Sequence, residues 1–163
     1  MAIVLFTVKL MKEFDYSLDY KNLDFTDLNI RKLYRIGRGE QGVLLVRPYT
    51  DDICAYWRFK DVVTARKSSH KIYEMYCDYK RQEDFIGMDM ARKFLEMGFT
   101  RAKRYANHKS GKKYDSTGAI RPQETDALVS VKAQSASIFK EIRDRVAVDP
   151  EYVKMRKEWR DAE

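Results

Sequence analysis

Two stretches of the sequence combine residue types and spacings able to do chemistry. The first is Gly37-Arg38-Gly39-Glu40-Gln41-Gly42, which has the G-x-G-x-x-G spacing. Glycines so placed let backbone N–H groups approach a phosphate closely. A dinucleotide-binding fold needs a strand before this spacing and a helix after it. Here the β-formers Val43 to Val46 follow, so that reading is rejected. Strands on both sides suit the loop that covers phosphates in protein kinases, but the H-R-D and D-F-G motifs are absent and the chain is too short. Two readings stay open. One is a hairpin whose glycines take positive φ. The other is a phosphate-contacting loop in which Arg38 joins Gly37, Gly39 and Gly42.

The second stretch is basic. Residues 91–121 hold nine Lys/Arg against two Asp/Glu, an excess equal to the net +7 of the whole 163-residue chain. Such a local field attracts nucleic acid, nucleotides or acidic protein surfaces. Arg92, Lys93, Arg101, Lys103, Arg104, His108, Lys109, Lys112 and Lys113 are the candidate phosphate contacts, a role that gives affinity without reading sequence. Trp57-Arg58-Phe59-Lys60 sets cations beside aromatics, which suits either a base-stacking surface or plain core. His70 and His108 fall on different helices and no Cys or carboxylate spacing makes a zinc site, so neither metal nor cofactor is expected. Cys54 and Cys77 form no disulfide framework and read as reduced thiols.

The elements that must position these residues follow from periodicity. Met88, Ala91, Phe94, Leu95, Gly98, Phe99, Ala102, Tyr105 and Ala106 share one face at about 100° per residue. That predicts a helix from Asp84, its N-cap, to Asn107, with the cations on the other face. Asp61 caps a preceding helix over 62–81, and the short link implies an antiparallel helical hairpin. Pro122 opens another helix bearing Leu128, Val131, Ile138, Phe139, Ile142 and Val146. Asp149-Pro150 starts the last one as N-cap and N1. Residues 36–46 read as a hairpin, and 54–59 as a short strand or extended run. The expected fold class is α+β: about four main helices with a small antiparallel β-hairpin, in a single domain over 1–163. Residues 3–8 read as a strand, and 1–10 as an extension upstream of Met11. No apolar run reaches the roughly 18 to 20 residues of a membrane span, and the N-terminus lacks the marks of a signal peptide.

FDYSLDYKNLDF, YRIGRGEQGVLLVRPY, WRFK and DFIGMDMARKFLEMGFTRAKRYANHKSGKKYD together resemble one family, domain of unknown function forty-three eighty-five. The resemblance covers about residues 14–160. It implies a cytoplasmic protein of bacteria or tailed phages, acting in the host cytoplasm if phage-encoded. It brings no activity, so no catalytic residue carries over.

The leading expectation is an anion-binding module contacting nucleic-acid phosphates. A second is an enzyme or sensor for a small phosphorylated ligand, with Gly37–Gly42, Arg58 and the basic helix meeting in one pocket. A third is a factor whose basic face docks an acidic protein partner. The position of the glycine loop relative to the basic helix separates the first two.

Overall fold

Aspartate and serine side chains open five of the helices by accepting the first free backbone N–H groups. The computed structural model describes residues 12–163, and the strand and extension expected in residues 1–10 lie outside them. Among the described residues there are six α-helices: α1 (Leu28–Arg31), α2 (Tyr49–Cys54), α3 (Val62–Arg81), α4 (Phe85–Asn107), α5 (Val131–Ala147) and α6 (Pro150–Ala162). The caps of α1 and α3 to α6 are Asp27, Asp61, Asp84, Ser130 and Asp149. Each cap of this kind contributes about 0.5–2 kcal/mol.

Helix α4 is the axis of the fold. From Phe85 to Ala91 every residue is buried, so its first two turns are covered on all sides. Only its C-terminal half shows the expected division into an apolar and a basic face. Helices α3 and α5 both run antiparallel to it. The Tyr79 ring of α3 lies against Gly87, and the Phe139 ring of α5 lies against Gly98. Arg143 of α5 also pairs with Glu96 at 2.8 Å. Helix α6 sets Tyr152 and Trp159 against Phe85, with ring centroids 5.9 and 5.3 Å away. Ahead of the bundle, Phe14, Tyr20, Phe25 and Tyr34 are buried and pass ring contacts from one to the next, while Tyr16 and Leu28 of the same segment are exposed.

The fold class differs from the expected α+β: the protein is all-helical, with no sheet and only an isolated Tyr114–Ile120 bridge among the described residues. The expected hairpin at residues 36–46 is a run of turns. Gln41, Val43 and Leu45 each donate their N–H to the carbonyl three residues back. Gly37, Gly39 and Gly42 do take positive φ, at 68°, 53° and 77°, but to curl the chain rather than to reverse it between strands. Burial explains the outcome. Val43 and Val46 point inward while Leu44 is half exposed, a spacing of three where a strand needs two. The Thr50 hydroxyl then donates to the Val43 and Val46 carbonyls, which closes the turns from inside. Residue 54 closes α2 rather than starting a strand. The helix expected from Pro122 begins only at Val131, and Leu128 ahead of it is exposed.

Leu95→Ala should lower stability by about 2–5 kcal/mol in urea unfolding, because Leu95 is fully buried. Gly98→Ala should also destabilise, against the roughly 1 kcal/mol that helix propensity offers alanine. Its Cβ would fall 2.3 Å from the Phe139 ring. Combining it with Phe139→Leu should recover part of the loss.

Candidate functional site

The glycine loop sits on the middle of α4, and cations of α4 and α6 hold it by its carbonyls. Arg160 donates to Gly37 O at 2.9 Å, Arg92 to Gly39 O at 3.2 Å and Lys93 to Gln41 O at 2.6 Å. Three alternate carbonyls thus point at three cations. Three of the loop N–H groups are engaged elsewhere: that of Arg38 by the Gln41 side chain, that of Gln41 by the Arg38 carbonyl and that of Gly42 by the Tyr16 hydroxyl. The loop therefore presents acceptors to positive charge, the reverse of an anion cradle.

Beneath it lies a buried ionic cluster. Asp89 and Lys93 are both fully buried, one turn apart on α4. Asp89 Oδ1 accepts from Arg92 Nε at 2.8 Å and from the Tyr152 hydroxyl at 2.7 Å. Its Oδ2 accepts from the Tyr34 hydroxyl, with Lys93 Nζ 3.9 Å away. Lys93 Nζ also lies over the rings of Phe14 and Tyr34, at 5.1 and 5.0 Å. Burial works against a charged Asp89, but Arg92 first, then Lys93 and the Tyr34 hydrogen bond, hold its carboxyl at about 2. Arg92 is the nearer partner and already balances that charge. Burial consequently prevails at Lys93 over the pull of Asp89 and pushes its ammonium down to about 7. Burial, and then the Asp89 charge, keeps Tyr34 and Tyr152 protonated far above the usual tyrosine range.

The structure thus divides the candidate cations. Arg92 and Lys93, expected on the outer face, are interior residues of this cluster. His108 is also buried: its backbone N–H donates to Arg104 O at 2.8 Å as the helix ends, and its Nδ1 has no partner among the described residues. Arg101, Lys103, Arg104, Lys109, Lys112 and Lys113 are exposed. None of the six forms an ion pair among the described residues. Arg38 is exposed and pairs with Glu13 at 2.5 Å. Arg101 borders the loop in a shallow depression with Gln41 and Gly42, whereas Arg58 lines a different cleft beside Tyr105. The single pocket expected to join the glycine loop, Arg58 and the basic helix does not form.

Because α3 and α5 run antiparallel to α4, the segment before α3 and the start of α5 meet the C-terminal end of α4. The Phe59 and Tyr105 rings are 6.0 Å apart, and Lys132 Nζ lies over both, at 5.3 and 5.7 Å. The basic loop after α4 packs back on the same place, since a Cβ at Gly111 would lie 2.6 Å from the Tyr105 ring. This end of the bundle gathers Arg58, Lys60, Lys132 and the six exposed cations. Lys132, Asp89, Tyr34 and Tyr152 are absent from the residues singled out by sequence, whereas Lys60 was expected beside the aromatics of residues 57–60 and Tyr105 on the apolar stripe of α4. Asp89 had a signal: a lone acid in the apolar run FIGMDMA, three and four residues before Arg92 and Lys93. Lys132 had none, because only the fold brings α5 to Tyr105. Among the described residues no cluster of His, Cys, Asp and Glu is arranged to hold a metal ion, and no helix is long and apolar enough to cross a membrane.

These features define an all-helical domain with a cation-held loop over a buried carboxylate and a basic, aromatic end. The chain belongs to the family described as Domain of unknown function (DUF4385), whose sequence model matches residues 15–162. No curated protein and no solved structure matches it.

Asp89→Ala should cost about 3–5 kcal/mol in urea unfolding, because it leaves buried cations without their counter-charge. The pH dependence follows from Lys93. The unfolded chain keeps this proton up to about 10.5 while the folded one releases it near 7. Across that window the unfolded state binds more protons, so stability should rise with pH from 7 toward 10. Lys93→Met should flatten that rise.

Proposed function

We propose that the protein binds nucleic acid through its phosphates at the end of the bundle formed by the C-terminal half of α4, the 108–121 loop and residues 57–60. One observation carries this reading: among the described residues none of the six exposed cations here forms an ion pair, whereas the exposed cations of α5 and α6 do. Lys140, Arg145, Lys154 and Lys157 each pair with an acid four residues away on their own helix. Lys80 pairs with Asp149 at 2.8 Å at the opposite end of the bundle. Exposed charges laced with partners suit a solvated surface. Six left unpaired, over a short arc and loop, suit a polyanion that supplies the missing charge. An acidic protein surface would meet the same cations, but the aromatic side chains among them, Phe59 and Tyr105, favour nucleic acid. The small-ligand alternative loses its main support, because the carbonyls of the glycine loop face cations and Arg58 lies apart from it.

Fluorescence anisotropy with labelled single- and double-stranded DNA and RNA across a salt series tests the proposal. Affinity should fall steeply with salt as counterions are released. Arg101→Glu combined with Arg104→Glu should abolish binding. Arg81→Glu, at the far end of α3, should change it little. Absence of binding at low salt with protein up to about 100 μM would rule the reading out, since non-specific binders associate within that range.

A further inference from the structure

The basic end contains a cleft that phosphate binding alone does not use. It has a volume of about 500 Å³ and lies between the segment before α3, the first turn of α3, the end of α4 and the start of α5. That volume falls within the roughly 300–1,000 Å³ of small-molecule sites. Its walls include the aromatic side chains Trp57, Phe59 and Tyr105, and its rim carries Lys60 and Lys132. Trp57 and Phe59 have ring centroids 4.9 Å apart, and Phe59 leads on to Tyr105. Tyr105 remains 41% exposed in spite of these contacts.

Resting on the nucleic-acid reading above, we infer that this cleft takes one unpaired base of a single strand. Three observations support that occupant. The first is the pairing of an aromatic wall with a cationic rim, which matches a flat π-system carrying phosphates on either side. Asp61, the cap of α3, offsets part of this rim charge: the hydrogen bond from the Thr64 N–H at 2.8 Å, and then the charges of Lys60 and Lys132, hold its carboxyl below the usual range. The second is Trp57 Nε1, which is buried without a hydrogen-bond partner among the described residues. The other tryptophan, Trp159, donates to Tyr34 O at 2.9 Å. Buried indole N–H groups normally find an acceptor, and a base carbonyl or a phosphate would supply one once the ring turned toward the cleft. The third is position. Tyr105 follows Arg101 by four residues on the same helix, so a base against Tyr105 has the exposed Arg101 side chain one turn away on the same face, within reach of its own backbone. A paired base is stacked within its duplex and cannot enter such a cleft, so the site selects single strands.

The test compares three labelled probes by anisotropy at one low salt concentration: a thymidine strand of about 20 nucleotides, an abasic strand with the same phosphates, and a duplex of the same length. The base-bearing strand should bind about tenfold or more tightly than the abasic one, with the duplex near the abasic value. Tyr105→Ala should bring the base-bearing strand down to the abasic level and leave the abasic affinity unchanged, while Tyr105→Phe should retain the preference. Equal affinity for base-bearing and abasic strands, tighter binding of the duplex, or an equal loss on both strands in Tyr105→Ala would overturn the cleft assignment and leave the phosphate reading standing. Failure of all three probes to bind would overturn both.

Discussion

The buried carboxylate of Asp89 is the constraint on which the rest of the structure depends. A lone charge in that position would be prohibitively costly, so it must be surrounded by donors. Arg92 and the hydroxyls of Tyr34 and Tyr152 supply them from α4, the segment before the glycine loop and α6. One side chain thereby ties two separated parts of the chain to the central helix. The cations drawn to it do further work: Arg92 and Lys93 also take the Gly39 and Gln41 carbonyls. The glycine loop is fixed as a consequence of the ionic cluster, and its positive φ values point its carbonyls toward those cations.

That arrangement separates the charges of α4 into two populations. The first half of the helix is enclosed, and its cations are consumed by Asp89 and by backbone carbonyls. The second half emerges from the core beyond Ala102, where the apolar stripe narrows to Ala102 and Ala106. Its cations have no acidic counterpart across the interface, because α5 offers Lys132 there rather than a carboxylate. Farther along the same antiparallel pair, Arg143 and Glu96 do match. The bundle is thus charge-balanced along most of its length and unbalanced at one end. An imbalance of this kind is a source of long-range attraction for a polyanion and adds little to the stability of the fold.

The long helices were legible because their signals are local: an Asp cap followed by a stripe at helical spacing, at both Asp61 and Asp84. The Asp149-Pro150 start was legible for the same reason. The glycine loop misled, because Val43 to Val46 have strand-forming side chains, and only tertiary burial reveals that Val43 and Val46 share a face three residues apart. The basic stretch was visible as composition, but composition cannot distinguish Arg92 from Arg101. Two or three turns of helix separate the mostly covered Arg92 from the exposed Arg101, and what covers Arg92 comes from α6 and the glycine loop, remote in sequence. The cleft wall at Trp57 and Phe59 was visible as a motif, while its partners Tyr105 and Lys132 meet it only through the antiparallel packing.

The division of α4 into a buried and an exposed set of cations is tested most directly by lysine-selective acylation read by mass spectrometry, with and without a saturating single strand. Lys93 should resist labelling in both conditions. Lys103, Lys109, Lys112 and Lys113 should label readily in the free protein and become protected when the strand is bound. Labelling of Lys93 in the native protein, or unchanged labelling of the other four with the strand present, would contradict the account.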